Sequence, residues 1–94
     1  MAFDIILEHE GHIYQCSLSE HLGEEYIFYI VDVRSPGTGT LLNTQINNLE
    51  LHFDLLNNRY EFKSYTRPIP EIARQLEAPL NTALQNITGR PAVF

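Results

Sequence analysis

The run Tyr26-Ile27-Phe28-Tyr29-Ile30-Val31-Asp32-Val33 constrains this chain more than any other stretch, because it is apolar on both alternating faces as far as Asp32. Successive side chains of a strand point to opposite sides, so Tyr26, Phe28 and Ile30 share one face. Ile27, Tyr29, Val31 and Val33 share the other. A strand of that kind belongs in the middle of a sheet with both faces covered.

The flanking segments supply the neighbours. Phe3, Ile5 and Leu7 alternate with Asp4, Ile6 and Glu8, and Glu10-Gly11 then offers a tight reversal in which glycine takes positive φ without steric cost. Alternation resumes over His12 to Leu18, with Tyr14, Cys16 and Leu18 on one side, so the two segments read as a β-hairpin. Residues 19–25 form a polar connection to the doubly apolar strand. Arg34 to Thr40 is the most loop-like stretch, and a short strand over Leu41–Ile46 and a turn at Asn47-Asn48 follow it. Leu49 to Leu56 and Arg59 to Tyr65 form the clearest hairpin, with Asn57-Asn58 suited to a two-residue turn. That register sets Leu55 opposite Tyr60, Phe53 opposite Phe62 and Leu51 opposite Ser64 on the inner face. On the outer face it sets Asp54 opposite Glu61 and His52 opposite Lys63.

The last element is helical. Pro70 suits a first turn, Glu71 complements the positive end of the helix dipole, and Ile72, Leu76, Leu80, Ala83, Leu84 and Ile87 recur at helical spacing. Gly89 and Pro91 stop it. Pro79 removes one internal hydrogen bond, at a cost of about 3 kcal/mol unless the chain bends, which predicts a kink near Ala78 or two short helices. The expected fold is therefore α+β: one domain over residues 1–94, with an antiparallel sheet of five to six strands made from a meander of hairpins (about 2–66). A single C-terminal, Pro-kinked helix (about 70–88) packs it, and a short tail (89–94) follows.

Twelve acidic residues against six basic ones give a net charge of −6, and Lys63 is the only lysine. Nucleic-acid affinity rests on Lys and Arg neutralising phosphates, so nucleic acid and anionic membrane are not expected partners. The single cysteine excludes an intramolecular disulfide. No segment pairs basic residues with an apolar stretch as a signal peptide would, and no run approaches spanning length, so the expected location is cytoplasmic.

His9-Glu10-Gly11-His12 sets two imidazoles around one turn, and imidazoles are good transition-metal ligands. A tight site needs three or four donors, and neither Cys16 nor His21 stands at a zinc-signature spacing. Polar histidines at a solvated turn are the expectation, with His9 and His12 the metal candidates if a third donor joins them. Ser35-Pro36-Gly37-Thr38-Gly39-Thr40 resembles a phosphate-cradling loop in composition only, since it lacks the lysine and the following helix. Cys16 lies mid-strand beside Tyr14 and Leu18, which predicts burial and an inert thiol. No nucleophile elbow surrounds Ser17, Ser19, Ser35 or Ser64, and Asp54 with Glu61 reads as part of a solvated charge mosaic. No catalytic residue, cofactor or metal is expected.

One helix covers only one side of a doubly apolar strand. Apolar burial is worth about 25 cal/mol per Å², so three or four large side chains left in water would forfeit several kcal/mol. A curled sheet, a homodimer or another protein would each cover them. The expected function is a noncatalytic interaction module that self-associates through a sheet face, with Ile27, Tyr29, Val31, Val33, Arg34 and Thr38 as contact residues. The alternatives are a small-ligand or metal-binding protein built on His9 and His12, its ligand unspecified, or an enzyme whose site is shared across a dimer interface.

Overall fold

The computed structural model describes residues 2–24, 26–35 and 44–88. Strands β1 (Ala2–His9), β2 (His12–Leu22), β3 (Ile27–Ser35), β4 (Thr44–Asp54) and β5 (Arg59–Lys63) precede one helix, α1 (Glu71–Thr88). All neighbouring strands pair antiparallel in chain order, so the sheet is a five-stranded meander with β3 at its centre. The expected α+β architecture is the one observed.

Side-chain alternation builds the core. Ile5 and Leu7, then Tyr14, Cys16 and Leu18, then Tyr29, Val31 and Val33, then Leu49 and Leu51, and finally Phe62 all point to one face. Ala73, Leu76, Leu80 and Leu84 of α1 close that face, and all four are fully buried. The helix packs against both edge strands, β5 and β1, so the sheet wraps around it. Curling lets one helix cover a five-stranded face.

Several local expectations are corrected. Residues 44–54 form one strand, with no turn at Asn47-Asn48. The two asparagines make a bulge, across which the pairing jumps from Val31–Leu49 to Val33–Ile46. Asn48 adopts φ 60°, and its N–H donates to Asp32 Oδ1 at 2.8 Å, which satisfies the amide that the bulge removes from the ladder. Residues 41–43 lie outside the described residues. Strand β2 continues to Leu22 because Ser19 to Leu22 pair with Ile30 to Ile27 of β3.

In the β4–β5 hairpin the register differs by two positions from the expected one. Asp54 pairs with Arg59, His52 with Glu61, Leu51 with Phe62 and Glu50 with Lys63, leaving a four-residue turn. A two-residue shift keeps every side chain on its face while changing its partner. Asp54 causes it: Oδ1 accepts the Leu56 N–H at 2.9 Å and Oδ2 accepts Asn57 Nδ2 at 3.0 Å, closing the turn one step earlier. Only Asn58 of the Asn57-Asn58 pair takes positive φ. Helix α1 runs unbroken through Pro79, so two short helices are not what forms. The bond lost at the Gln75 carbonyl is outweighed by burial of Leu76, Leu80 and Leu84 on the core side.

Candidate interaction surface

The helix settles which face of β3 is covered. Tyr29, Val31 and Val33 are 0–1% exposed beneath α1 and Ile27 is half-buried, so three of the residues expected to contact a partner lie in the core of the chain. Arg34 is exposed and donates to Gln15 Oε1 at 2.7 Å. Thr38 and the rest of its loop lie outside the described residues, as does the tail from residue 89. The row left outside is Phe28 and Ile30, both half-buried by their neighbours.

Phe28 is the centre of an aromatic stack across three strands. The register places His21, Phe28 and His52 side by side on the outer face. The Phe28 ring stacks on His21 at 5.6 Å and 22°, and on His52 at 4.9 Å and 9°, while Tyr26 meets His52 edge-on at 5.5 Å. His52 is only 9% exposed; its Nε2 lies 2.9 Å from Glu50 Oε1, and its buried Nδ1 has no partner among the described residues. This stack covers much of the second apolar face without a helix, since flat rings cover one another while their edges stay near water.

What the stack leaves open is the end of the sheet beyond it. The β2–β3 and β4–β5 connections leave the sheet at that end, and a cleft of about 750 Å³ lies between them. Leu22, Tyr26, Leu55 and Leu56 line it at 86, 50, 73 and 93% exposure. The shape comes from the turns. Gly23 N–H donates to the Tyr26 carbonyl at 2.8 Å, and the Asp54 cap turns Leu55 and Leu56 outward. Glu24, Asp54 and Lys63 add charge to the lining. The carboxyl of Asp54 is held below its usual 3.8, first by the Leu56 N–H, which outweighs the opposing effect of desolvation, and then by Asn57 and Lys63.

The histidine turn lies at the opposite end. Glu10 (φ 51°) and Gly11 (φ 79°) make the tight reversal, and His9 pairs with His12. His9 Nε2 lies 3.0 Å from Gln75 Oε1, which engages that imidazole with the helix. Among the described residues no group of three or more His, Cys, Asp and Glu side chains is placed to hold a metal. Cys16 is fully buried between Ile5 and Val33, and burial pushes its thiol up to about 11. Asp54 and Glu61 do not face each other: Asp54 opposes Arg59, and Arg59 Nε lies 3.8 Å from Glu61.

A five-stranded antiparallel meander wrapped on one C-terminal helix is an α+β domain, and among the described residues no helix is long and apolar enough to cross a membrane. The chain matches no family model, no curated protein and no solved structure.

The apolar end was not visible in the alternation of any one strand. Leu22, Tyr26 and Leu55 read as strand residues or connection, and Leu22 and Leu56 are 34 positions apart. The signal that could have found them is the pair of unpaired leucines in a four-residue turn, readable once Asp54 is recognised as the turn cap.

Proposed function

We propose that this chain is a noncatalytic protein-interaction module whose contact surface is the apolar end of its sheet. The observation that carries this reading is the cluster of Leu22, Tyr26, Leu55 and Leu56, four large apolar side chains at least half exposed around one cleft. Burying such a side chain is worth roughly 1.5–3 kcal/mol, so a partner that filled the cleft would gain a substantial apolar contribution. Glu24 and Asp54 beside it, within a chain of net charge −6, suit a partner segment that carries basic residues next to apolar ones. Among the described residues no nucleophile, base and orienting group converge at this end, and the histidine that lines it, His52, is engaged by stacking and by Glu50.

A peptide-display selection against the folded chain tests the reading. It should enrich apolar segments flanked by Lys or Arg, and Leu22→Asp with Leu56→Asp should abolish their binding while the fold remains. Failure to enrich any sequence class, or enrichment that survives the double substitution, would remove the apolar end as the contact surface.

A further inference from the structure

The two edges of the sheet are treated differently. On β5 the outward backbone groups are taken up by helix side chains. Asn81 bonds both the N–H and the C=O of Tyr60, Glu77 Oε2 accepts the Phe62 N–H at 2.7 Å, and Arg74 Nη1 donates to the Phe62 carbonyl at 2.9 Å. An edge sealed in this way cannot accept another strand.

On β1 the outward groups follow from the turn. His9 and His12 flank a two-residue reversal, so they form the closing hydrogen-bonded pair, and such pairs recur at every second residue. Leu7, Ile5 and Phe3 therefore bond to β2, while Glu8, Ile6, Asp4 and Ala2 turn their N–H and C=O outward. Among the described residues no group bonds to these outward positions. The edge carries no lysine, proline or bulge, and Ile6 on it is 62% exposed.

We propose that β1 is a self-association edge, on which a second copy of this chain adds its own β1 antiparallel about a two-fold axis through Ile5. Among the registers that keep most of β1 paired, with the axis through Asp4, Ile5 or Ile6, the charges on the strand favour one. An axis through Ile6 would set Asp4 against Glu8 twice, and an axis through Asp4 would set Asp4 against Asp4; like charges directly opposite are unfavourable. With Ile5 on the axis, Asp4 opposes Ile6 and Ala2 opposes Glu8 on the outer face, each pair exchanging the free backbone bonds. On the inner face Phe3 opposes Leu7 and Ile5 opposes Ile5, so the buried row that packs on α1 continues across the junction without a polar break. Phe3 is half-buried in one protomer, and a partner's Leu7 would complete its cover. The interface is isologous and closed, and it uses none of the residues around the apolar end.

Light scattering of the full chain over a range of concentrations should give a mass of about twice 10.8 kDa at the upper end. Asp4→Pro removes an outward N–H and blocks the edge while leaving the β1–β2 ladder intact, so this variant should stay folded and become a monomer. In a sample mixing labelled and unlabelled wild-type chains, an isotope-filtered spectrum should show Phe3 Hα against Leu7 Hα of the other copy, since non-hydrogen-bonded pairs bring Cα atoms to about 4.5 Å. A wild-type chain that remains a monomer at every concentration overturns the proposal. So does a folded Asp4→Pro dimer, or a wild-type dimer lacking that cross-peak, and the cross-peak decides the matter if Asp4→Pro fails to fold. A dimer lost with Leu22→Asp and Leu56→Asp but kept with Asp4→Pro overturns the edge and leaves the apolar end standing. A dimer with the opposite sensitivities supports the edge independently.

Discussion

The carboxamide of Asn81 pairs with Tyr60 as a neighbouring strand would: Oδ1 accepts the Tyr60 N–H at 2.7 Å and Nδ2 donates to the Tyr60 carbonyl at 2.9 Å. The same Nδ2 donates to the Glu77 carbonyl within the helix at 2.7 Å, which fixes the side chain in that pose. One turn earlier, Glu77 and Arg74 do the same for Phe62, and Arg59 Nη2 closes on Glu77 Oε1 at 3.3 Å. Glu77 is thus a buried carboxylate whose partners include two guanidiniums and a backbone amide, which is the condition under which a buried charge is tolerated.

Asn81→Ala and Glu77→Ala should each lower the unfolding free energy by about 1–3 kcal/mol, because each strands backbone groups of β5. Urea denaturation reads this as a lower midpoint with an unchanged slope. A change below about 0.5 kcal/mol for both would mean that water replaces these bonds without loss.

Gly23→Ala should disturb the β2–β3 turn. A Cβ at Gly23 would stand 2.8 Å from the Tyr26 carbonyl oxygen, the atom that accepts the Gly23 N–H, so the turn must open. The amide resonances of residues 22–28 should shift and the stability should fall by about 1–2 kcal/mol, while the β4–β5 hairpin stays unchanged. An unperturbed spectrum would show that the turn has slack.

Stability should decline above pH 9 because of Cys16. The thiol ionises near 9.0 when solvated and at about 11 when buried, so the folded chain holds a proton that the unfolded chain releases between those values. The contribution is complete below pH 9 and is lost as pH rises toward 11. Cys16→Ala should flatten that part of the pH–stability curve, and the wild-type thiol should react with a disulfide reagent only at the rate of opening or unfolding.

Asp54 sets a pH dependence at the acid end. Its folded value is depressed below 3.8, so its contribution is present above 3.8 and is lost as pH falls through the lower, folded value. The carboxyl carbon shift of Asp54 should titrate below 3.8, and Asp54→Ala should both remove that contribution and loosen Leu56, whose N–H loses its acceptor. A titration at or above 3.8 would mean that the turn cap is not maintained in solution.

Periodicity marked most elements of this chain, although it ended β2 at Leu18 and broke β4 at Asn47-Asn48. Alternation at Phe3–Leu7, Tyr14–Leu18 and Leu49–Leu51 marks strands, the spacing of Ile72, Leu76, Leu80 and Leu84 marks a helix, and Glu10-Gly11 marks a turn, because each depends on interactions a few residues apart. The doubly apolar character of β3 was also legible, and with it the requirement that two faces be covered. Which face the helix takes was not. Ile27, Tyr29, Val31 and Val33 look as suited to a partner as Phe28 and Ile30 until the chain curls and α1 meets both edges. The stack of His21, Phe28 and His52 depends on the pairing of three strands, and the β4–β5 register depends on an Asp54 side chain bonding ahead of it. The apolar end likewise exists only when two turns, far apart in sequence, leave the sheet on the same side. Local backbone and side-chain geometry decides elements, whereas the choice between faces rests on small differences in burial and hydrogen bonding that exist only once the elements are packed together.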